Sequence, residues 1–226
     1  QSYDLDAVKE TFAALVDNAM EGKDVAEIKI DERRLGPIAG IARAIQEGVG
    51  DVASATREYR EEIEELALQD VLNQEVMESP ERIADARLRI KKGLQTMREH
   101  WPKVLKVFQE TPQRLTRAGV SGEALRGAME GFRGELEHRC ADLAEFRRID
   151  MAILAQDDAI LEFLSEREGE YSFRDGYIVF VSDEDTETYC GHLDRLNRLI
   201  AEEDAWRTRL RNEARKKLDE LDKLKK

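Results

Sequence analysis

Aromatic side chains are scarce in this chain of 226 residues: seven phenylalanines, five tyrosines and two tryptophans. Prolines number four, histidines three and cysteines two. No apolar run approaches the ~18 residues needed to cross a bilayer. There is no Gly-x-Ser-x-Gly elbow, no phosphate-cradling Gly-x-x-x-x-Gly-Lys-Ser/Thr and no Gly-x-Gly-x-x-Gly after a strand. Repeats of about 20–50 residues are missing, as is a heptad pattern strict enough for a long two-stranded coiled coil. These absences remove the transmembrane, nucleotide-binding, serine-hydrolase and solenoid readings. Hydrophobic content of 41% also excludes a wholly disordered chain.

Charge, by contrast, is abundant. Charged residues make up 38% of the chain and the net charge is −13. High charge with few aromatics and prolines is the composition of long amphipathic helices. Residues 1–79 hold 19 acids and 8 bases, residues 80–121 hold 4 and 10, and residues 122–226 hold 26 and 18. The basic stretch, with Arg82, Arg87, Arg89, Lys91, Lys92, Arg98, Lys103 and Lys106, invites a nucleic-acid reading. In so acidic a chain it is better read as a face that meets acidic neighbours or solvent. No nucleic-acid partner is expected.

Periodicity predicts a mainly α protein: one elongated bundle of about five helices over residues 1–226, with one small β-hairpin at 170–181. A first helix over 4–21 is capped by Asp4 or Asp6 and stopped by Gly22, and a linker over 23–31 turns extended near Ile28 and Ile30. A second opens at Gly36–Pro37 and runs to about Leu68, its glycines at 40, 48 and 50 letting a neighbouring helix approach closely. Ser79–Pro80 caps a third, which Pro102 should kink or split. Thr111–Pro112 marks a short helical turn. The longest pattern, residues 123–168, would span roughly 65–70 Å at 1.5 Å per residue. Asp175–Gly176 between aromatic and β-branched runs signals a hairpin, an insertion between the two longest C-terminal helices. It sets Tyr177, Val179 and Val181 on one face of its second strand, with Ile178 and Phe180 on the other. Ser182 caps the last helix, Asp185 makes an imperfect capping box, and the final residues fray.

The candidates for chemistry each fail a spacing test. Glu135-x-x-His138 is half of a di-iron carboxylate motif, which needs a second Glu-x-x-His that neither His100 nor His192 provides. His138-x-Cys140 and Cys190-x-His192 together resemble a zinc set, but residues i and i+2 of a helix point ~200° apart. Cys140 and Cys190 sit at no evident helix N-terminus that would activate a thiol. In an oxidising compartment they can form one disulfide, closing a ~50-residue loop worth roughly 3–4 kcal/mol, provided their Cα atoms come within ~7 Å. In a reducing one they are expected as two buried small residues. Asp150 and Asp157 read as a polar seam meeting arginines such as Arg147 or Arg195. No catalytic residue, metal or cofactor is expected.

The most distinctive text is 159–206, AILEFLSEREGEYSFRDGYIVFVSDEDTETYCGHLDRLNRLIAEEDAW. A helix ends in a Phe-Leu pair, passes through an aromatic hairpin and enters a Ser-capped helix carrying Tyr189 and Leu196. This resembles the C-terminal part of a lipoprotein family of Gram-negative bacteria, classed as a domain of unknown function. The helix opening at Leu35-Gly36-Pro37 is similar to that family's N-terminal part, while Cys190 stands where the family tends to show Asn. The resemblance implies a periplasmic domain held at the membrane by a lipidated cysteine upstream of Gln1. A chain that begins at Gln1 rather than Met fits a trimmed or mature form.

The expected function is therefore a non-enzymatic, envelope-associated helical protein that binds another protein. Two alternatives stand beside it. One is a cytoplasmic helical scaffold or adaptor, argued from the long charged helices. The other is a small-ligand-binding domain with a pocket lined by Tyr171, Phe173, Tyr177, Phe180 and Trp206. Those aromatics also read as core plugging the end of the bundle.

Overall fold

The computed structural model describes residues 4–20 and 24–223. Gly22 and the last three residues lie outside that range, as do the side chains of Phe132, Glu135 and Leu136. The described chain is mainly helical, with one antiparallel two-stranded hairpin. In order it comprises α1 (Leu5–Met20), α2 (Glu32–Leu35), α3 (Ala39–Glu65), α4 (Gln74–Met77), α5 (Pro80–Gln109), α6 (Thr111–Arg117), α7 (Gly122–Glu166), β1 (Tyr171–Arg174), β2 (Tyr177–Phe180) and α8 (Asp183–Lys223).

Eight α-helices therefore stand among the described residues where about five were expected. The five long ones fall on the expected segments, and α6 is the expected helical turn. The additions, α2 and α4, are four residues each, too short for a periodic apolar stripe. Caps and burial hold them instead. Asp31 accepts from the amides of Arg33 and Arg34, and Asn73 from that of Val76. Leu35, Val76 and Met77 are buried beneath them. At Gly36–Pro37 the expected start proves to be a 3₁₀ turn over Gly36–Ile38, and α3 follows from Ala39. Pro102 does not split α5, which continues to Gln109. Its ring is exposed, while Met97, Val104 and Val107 are buried on the opposite side. Packing on that side offsets the ~3 kcal/mol a proline costs inside a helix.

The chain forms two compact units, Gln1–Glu62 with Arg98–Ala141 and Ile63–Met97 with Asp142–Lys226. Among its described residues the first unit holds two small cores. Ala7, Leu35, Ala39 and Ala42 pack with Val8, Phe12 and Ile30, and Ala44, Leu115 and Val120 pack with Ile41, Leu125 and Met129. Asp4 caps α1 by accepting from the amides of Asp6 and Ala7. Gln46 donates to the carbonyls of Val25 and Ile28, closing the connection between α1 and α2. Arg114 is 7% exposed and meets Asp51 at 2.7 Å and Glu110 at 3.0 Å.

Most of the large, fully buried side chains lie in the second unit. Val71, Ile83, Ile90, Ile149, Ile160, Leu161 and Leu164 are almost wholly buried. Ala67 adopts a left-handed φ of 45°, and Arg89 donates to the carbonyls of Leu66 and Ala67 that this turn leaves behind. Arg87 spans Asp158 at 2.8 Å and Glu162 at 2.6 Å. Members of the basic stretch in both units thus meet carboxylates inside their own unit, Lys103 with Glu58 among them.

Candidate functional site

The hairpin of the second unit concentrates the scarce aromatics. Asp175 and Gly176 both have positive φ, 53° and 81°, the two-residue turn that matches strand twist. The register pairs Tyr171 with Phe180, Ser172 with Val179, Phe173 with Ile178 and Arg174 with Tyr177. Alternation then sends Tyr171, Phe173, Ile178 and Phe180 to one face and Ser172, Arg174, Tyr177 and Val179 to the other.

The inner face is a closed aromatic cluster. Phe180 is buried between Phe163 of α7, with centroids 5.7 Å apart, Tyr171 at 5.7 Å and Tyr189 of α8 at 5.3 Å. His192 lies 5.6 Å from Phe163, and Arg167 stacks on that ring with its guanidinium carbon 4.2 Å from the centroid. Asp185 holds Arg167 in place. The Tyr171 hydroxyl donates to the carbonyl of Met77 at 2.6 Å, tying the hairpin to α4. Burial pushes both tyrosine hydroxyls up from their ordinary pKa, and Glu168 adds to the effect at Tyr171. Neither tyrosine is poised as an acid or base near neutral pH.

The outer face is of another kind. Tyr177 is 75% exposed, Val179 38% and Val181 85%. The Val181 amide donates to the carbonyl of Glu170, so the pairing extends past the strand ends. This apolar row on β2 consequently faces Glu170, Ser172 and Arg174 across the hairpin and has no apolar cross-strand neighbour.

Of the residues singled out in the sequence, the structure brings Tyr171, Phe173 and Phe180 together and leaves two apart. Tyr177 points outward. Trp206 stacks on Phe146 at 4.7 Å instead. It lies 17 residues beyond Tyr189 on α8, about 25 Å along the helix axis. The aromatics therefore do not line one pocket. An open cleft of about 370 Å³ does run beside β1, between Tyr171 and Phe173 and the residues Glu78, Pro80 and Glu168. Phe163 and Tyr189, marked in the sequence only by the family resemblance, and His192, named there only as half of a zinc pair, complete the cluster. Phe163 sits one position off the α7 stripe of Ile160 and Leu164, so periodicity alone treats it as a flank. Tyr189 and His192, three apart on α8, share a helical face that marks them in retrospect.

Cys140, half-buried, and Cys190, exposed, both carry free thiols, and burial raises the pKa of Cys140. His192 Nδ1 lies 2.9 Å from Gln156 Nε2, which also donates to the His192 carbonyl at 3.2 Å. Burial lowers the His192 pKa, with Arg195 acting in the same direction. The seam around Asp150 and Asp157 differs from the one expected. Burial pushes Asp150 up to about 7, Glu203 adds to the rise and Arg207 opposes it. Asp157, 7% exposed, is pushed up to about 6 by burial alone. The arginines expected to meet them do not account for either group's charge state. No helix of the described residues is long and apolar enough to cross a membrane.

No protein-family model, curated protein or solved structure matches the chain.

Proposed function

We propose that this chain is a non-catalytic helical domain of the bacterial cell envelope that binds another protein. In this reading it is the part of a lipoprotein that follows the lipidated N-terminal cysteine. The binding role rests on the outer face of the hairpin, where Tyr177, Val179 and Val181 stand in a row exposed to solvent. Burying three such side chains against a partner recovers apolar area that the fold leaves wet, at about 25 cal/mol per Å². The inner aromatics serve that face by anchoring the hairpin to α4, α7 and α8. Assignment to the envelope rests on the resemblance of residues 159–206 and of Leu35-Gly36-Pro37 to the lipoprotein family.

The test is expression of the full-length gene from its own start in its native cell. Membrane fractionation and mass spectrometry of the N-terminal peptide would read the anchor, and in-cell cross-linking would read the binding. A lipidated N-terminus in the membrane fraction and a cross-linked species heavier than the chain are expected. Unlipidated protein in the cytoplasm would overturn the envelope assignment, and the absence of any cross-linked partner would overturn the binding role. The cleft beside Tyr171 and Phe173 favours a second reading, binding of a small ligand in the roughly 370 Å³ available there.

A further inference from the structure

We infer that the free edge of β2 is a docking edge for an extended segment of another protein, one apolar at alternate positions and flanked by lysine or arginine. This rests on the protein-binding reading and names the surface and the chemistry of its partner.

Three observations converge on the edge. Among the described residues the sheet has two strands, so β2 pairs on one side only. The hydrogen-bonded pair of Val181 with Glu170 sets the alternation along β2. Backbone groups of Tyr177, Val179 and Val181 face β1, and those of Ile178 and Phe180 face away from it. An added strand would bond to Ile178 and Phe180, and its alternate side chains would lie beside Tyr177, Val179 and Val181 on the outer face. That supplies the apolar cross-strand neighbours that β1, with Glu170, Ser172 and Arg174, does not. Folded proteins usually protect such an edge with lysine, proline or a bulge, because an exposed apolar strand recruits other strands. β2 reads Tyr-Ile-Val-Phe and carries none of these.

Charge chooses among occupants. Residues 166–187 hold eight acids and two arginines, and one of the two, Arg167, is engaged by Asp185. Glu170 lies directly across from Val181, and Asp183 and Glu184 begin α8 just beyond it. A second copy would bring the same acidic fringe against this one, in a chain of net charge −13. Anionic lipid headgroups meet the same repulsion. A strand with a basic flank instead gains attraction from Glu170, Asp183 and Glu184 at the Val181 end, which speeds encounter and sets its register.

The experiment uses the full chain and a labelled peptide with valines alternating with threonines between pairs of lysines. One control carries glutamate in place of the lysines, and a second carries N-methyl groups on alternate residues of one peptide edge. Fluorescence anisotropy at low salt should show the lysine-flanked peptide binding at least tenfold more tightly than either control. The V179S/V181S double substitution, which leaves the charge unchanged, should weaken binding tenfold or more while far-UV circular dichroism stays the same. V181S alone, at the most exposed position, repeats the test should the double variant lose helicity. Equal binding of lysine and glutamate peptides, an N-methylated peptide as good as its parent, or no binding of the lysine peptide would each overturn the docking edge. If a cellular partner is captured but cross-links elsewhere, the edge fails and the protein-binding reading stands. Peptide binding by a chain found in the cytoplasm keeps the edge and removes the envelope assignment.

Discussion

Asp157 shows how a single residue sets a pH dependence. Its carboxyl is buried without a compensating charge and is pushed up to about 6 from an ordinary value of 3.8. Because the folded-state value is the higher one, the stability it contributes is fully present below about pH 4. That stability is lost as the pH rises through about 6. Asp150, pushed up to about 7 by burial and by Glu203 beside it, acts in the same direction over a window that extends higher. Asp157→Asn removes the ionisation. Urea unfolding at pH 8 should show the variant more stable by about 3 kcal/mol, the cost of ionising the buried carboxyl. The difference should vanish near pH 4; a variant less stable at pH 8 would show that the carboxylate has a role the burial does not reveal. The cysteines give a second residue-scale prediction. Titration with a thiol reagent on native protein should count two thiols, the exposed Cys190 reacting before the half-buried Cys140, whose pKa burial raises.

Glycine placement separates elements that look alike in sequence. The three glycines of α3 all suggest close approach, but only Gly40 needs the room. A Cβ there would lie 2.6 Å from the Ala118 carbonyl oxygen and 2.9 Å from Val120. The approaching segment is the connection between α6 and α7, not a neighbouring helix. At Gly48 and Gly50 the added atom would meet ordinary contacts, Val107 at 3.9 Å and Val25 at 3.6 Å. Gly40→Ala should therefore destabilise by about 1–3 kcal/mol. Gly48→Ala and Gly50→Ala should each stabilise by up to about 1 kcal/mol through helix propensity. Thermal unfolding of the three variants side by side checks the ordering, and equal shifts would refute the placement of the 118–120 connection. The same contrast explains which elements could be read from sequence. Five long helices and the Asp-Gly hairpin announce themselves through periodicity and turn chemistry. Helices α2 and α4, a single turn each, depend on Asp31 and Asn73 finding amides and on Leu35, Val76 and Met77 finding a core.

At the scale of the whole molecule, the charge that dominates the composition is handled locally. Several bases of the stretch 80–121 are held in pairs, such as Arg87 with Asp158 and Glu162, and Arg114 with Asp51 and Glu110. What remains is the net charge of −13, which opposes compaction by self-repulsion. Raising sodium chloride from about 0.02 M to about 0.3 M shortens the screening length from roughly 20 Å to about 6 Å. The unfolding midpoint should rise by a few degrees. A fall would show that the ion pairs outweigh the repulsion.

By itself the sequence determined the helical class, the position and turn type of the hairpin, and the alternation that separates Tyr177, Val179 and Val181 from Phe180. Each of these follows from local periodicity or from the φ preferences of a few adjacent residues. Which of those faces becomes core was decided only by tertiary structure. Phe163 and Tyr189 reach Phe180 from helices on either side of the hairpin in the chain, while Trp206, placed with them by composition, sits about 25 Å along α8 against Phe146. Burial and charge state belong to the same category. A carboxylate such as Asp157 carries no mark in the sequence of how much water its neighbours will exclude, because that depends on helices brought together from distant parts of the chain.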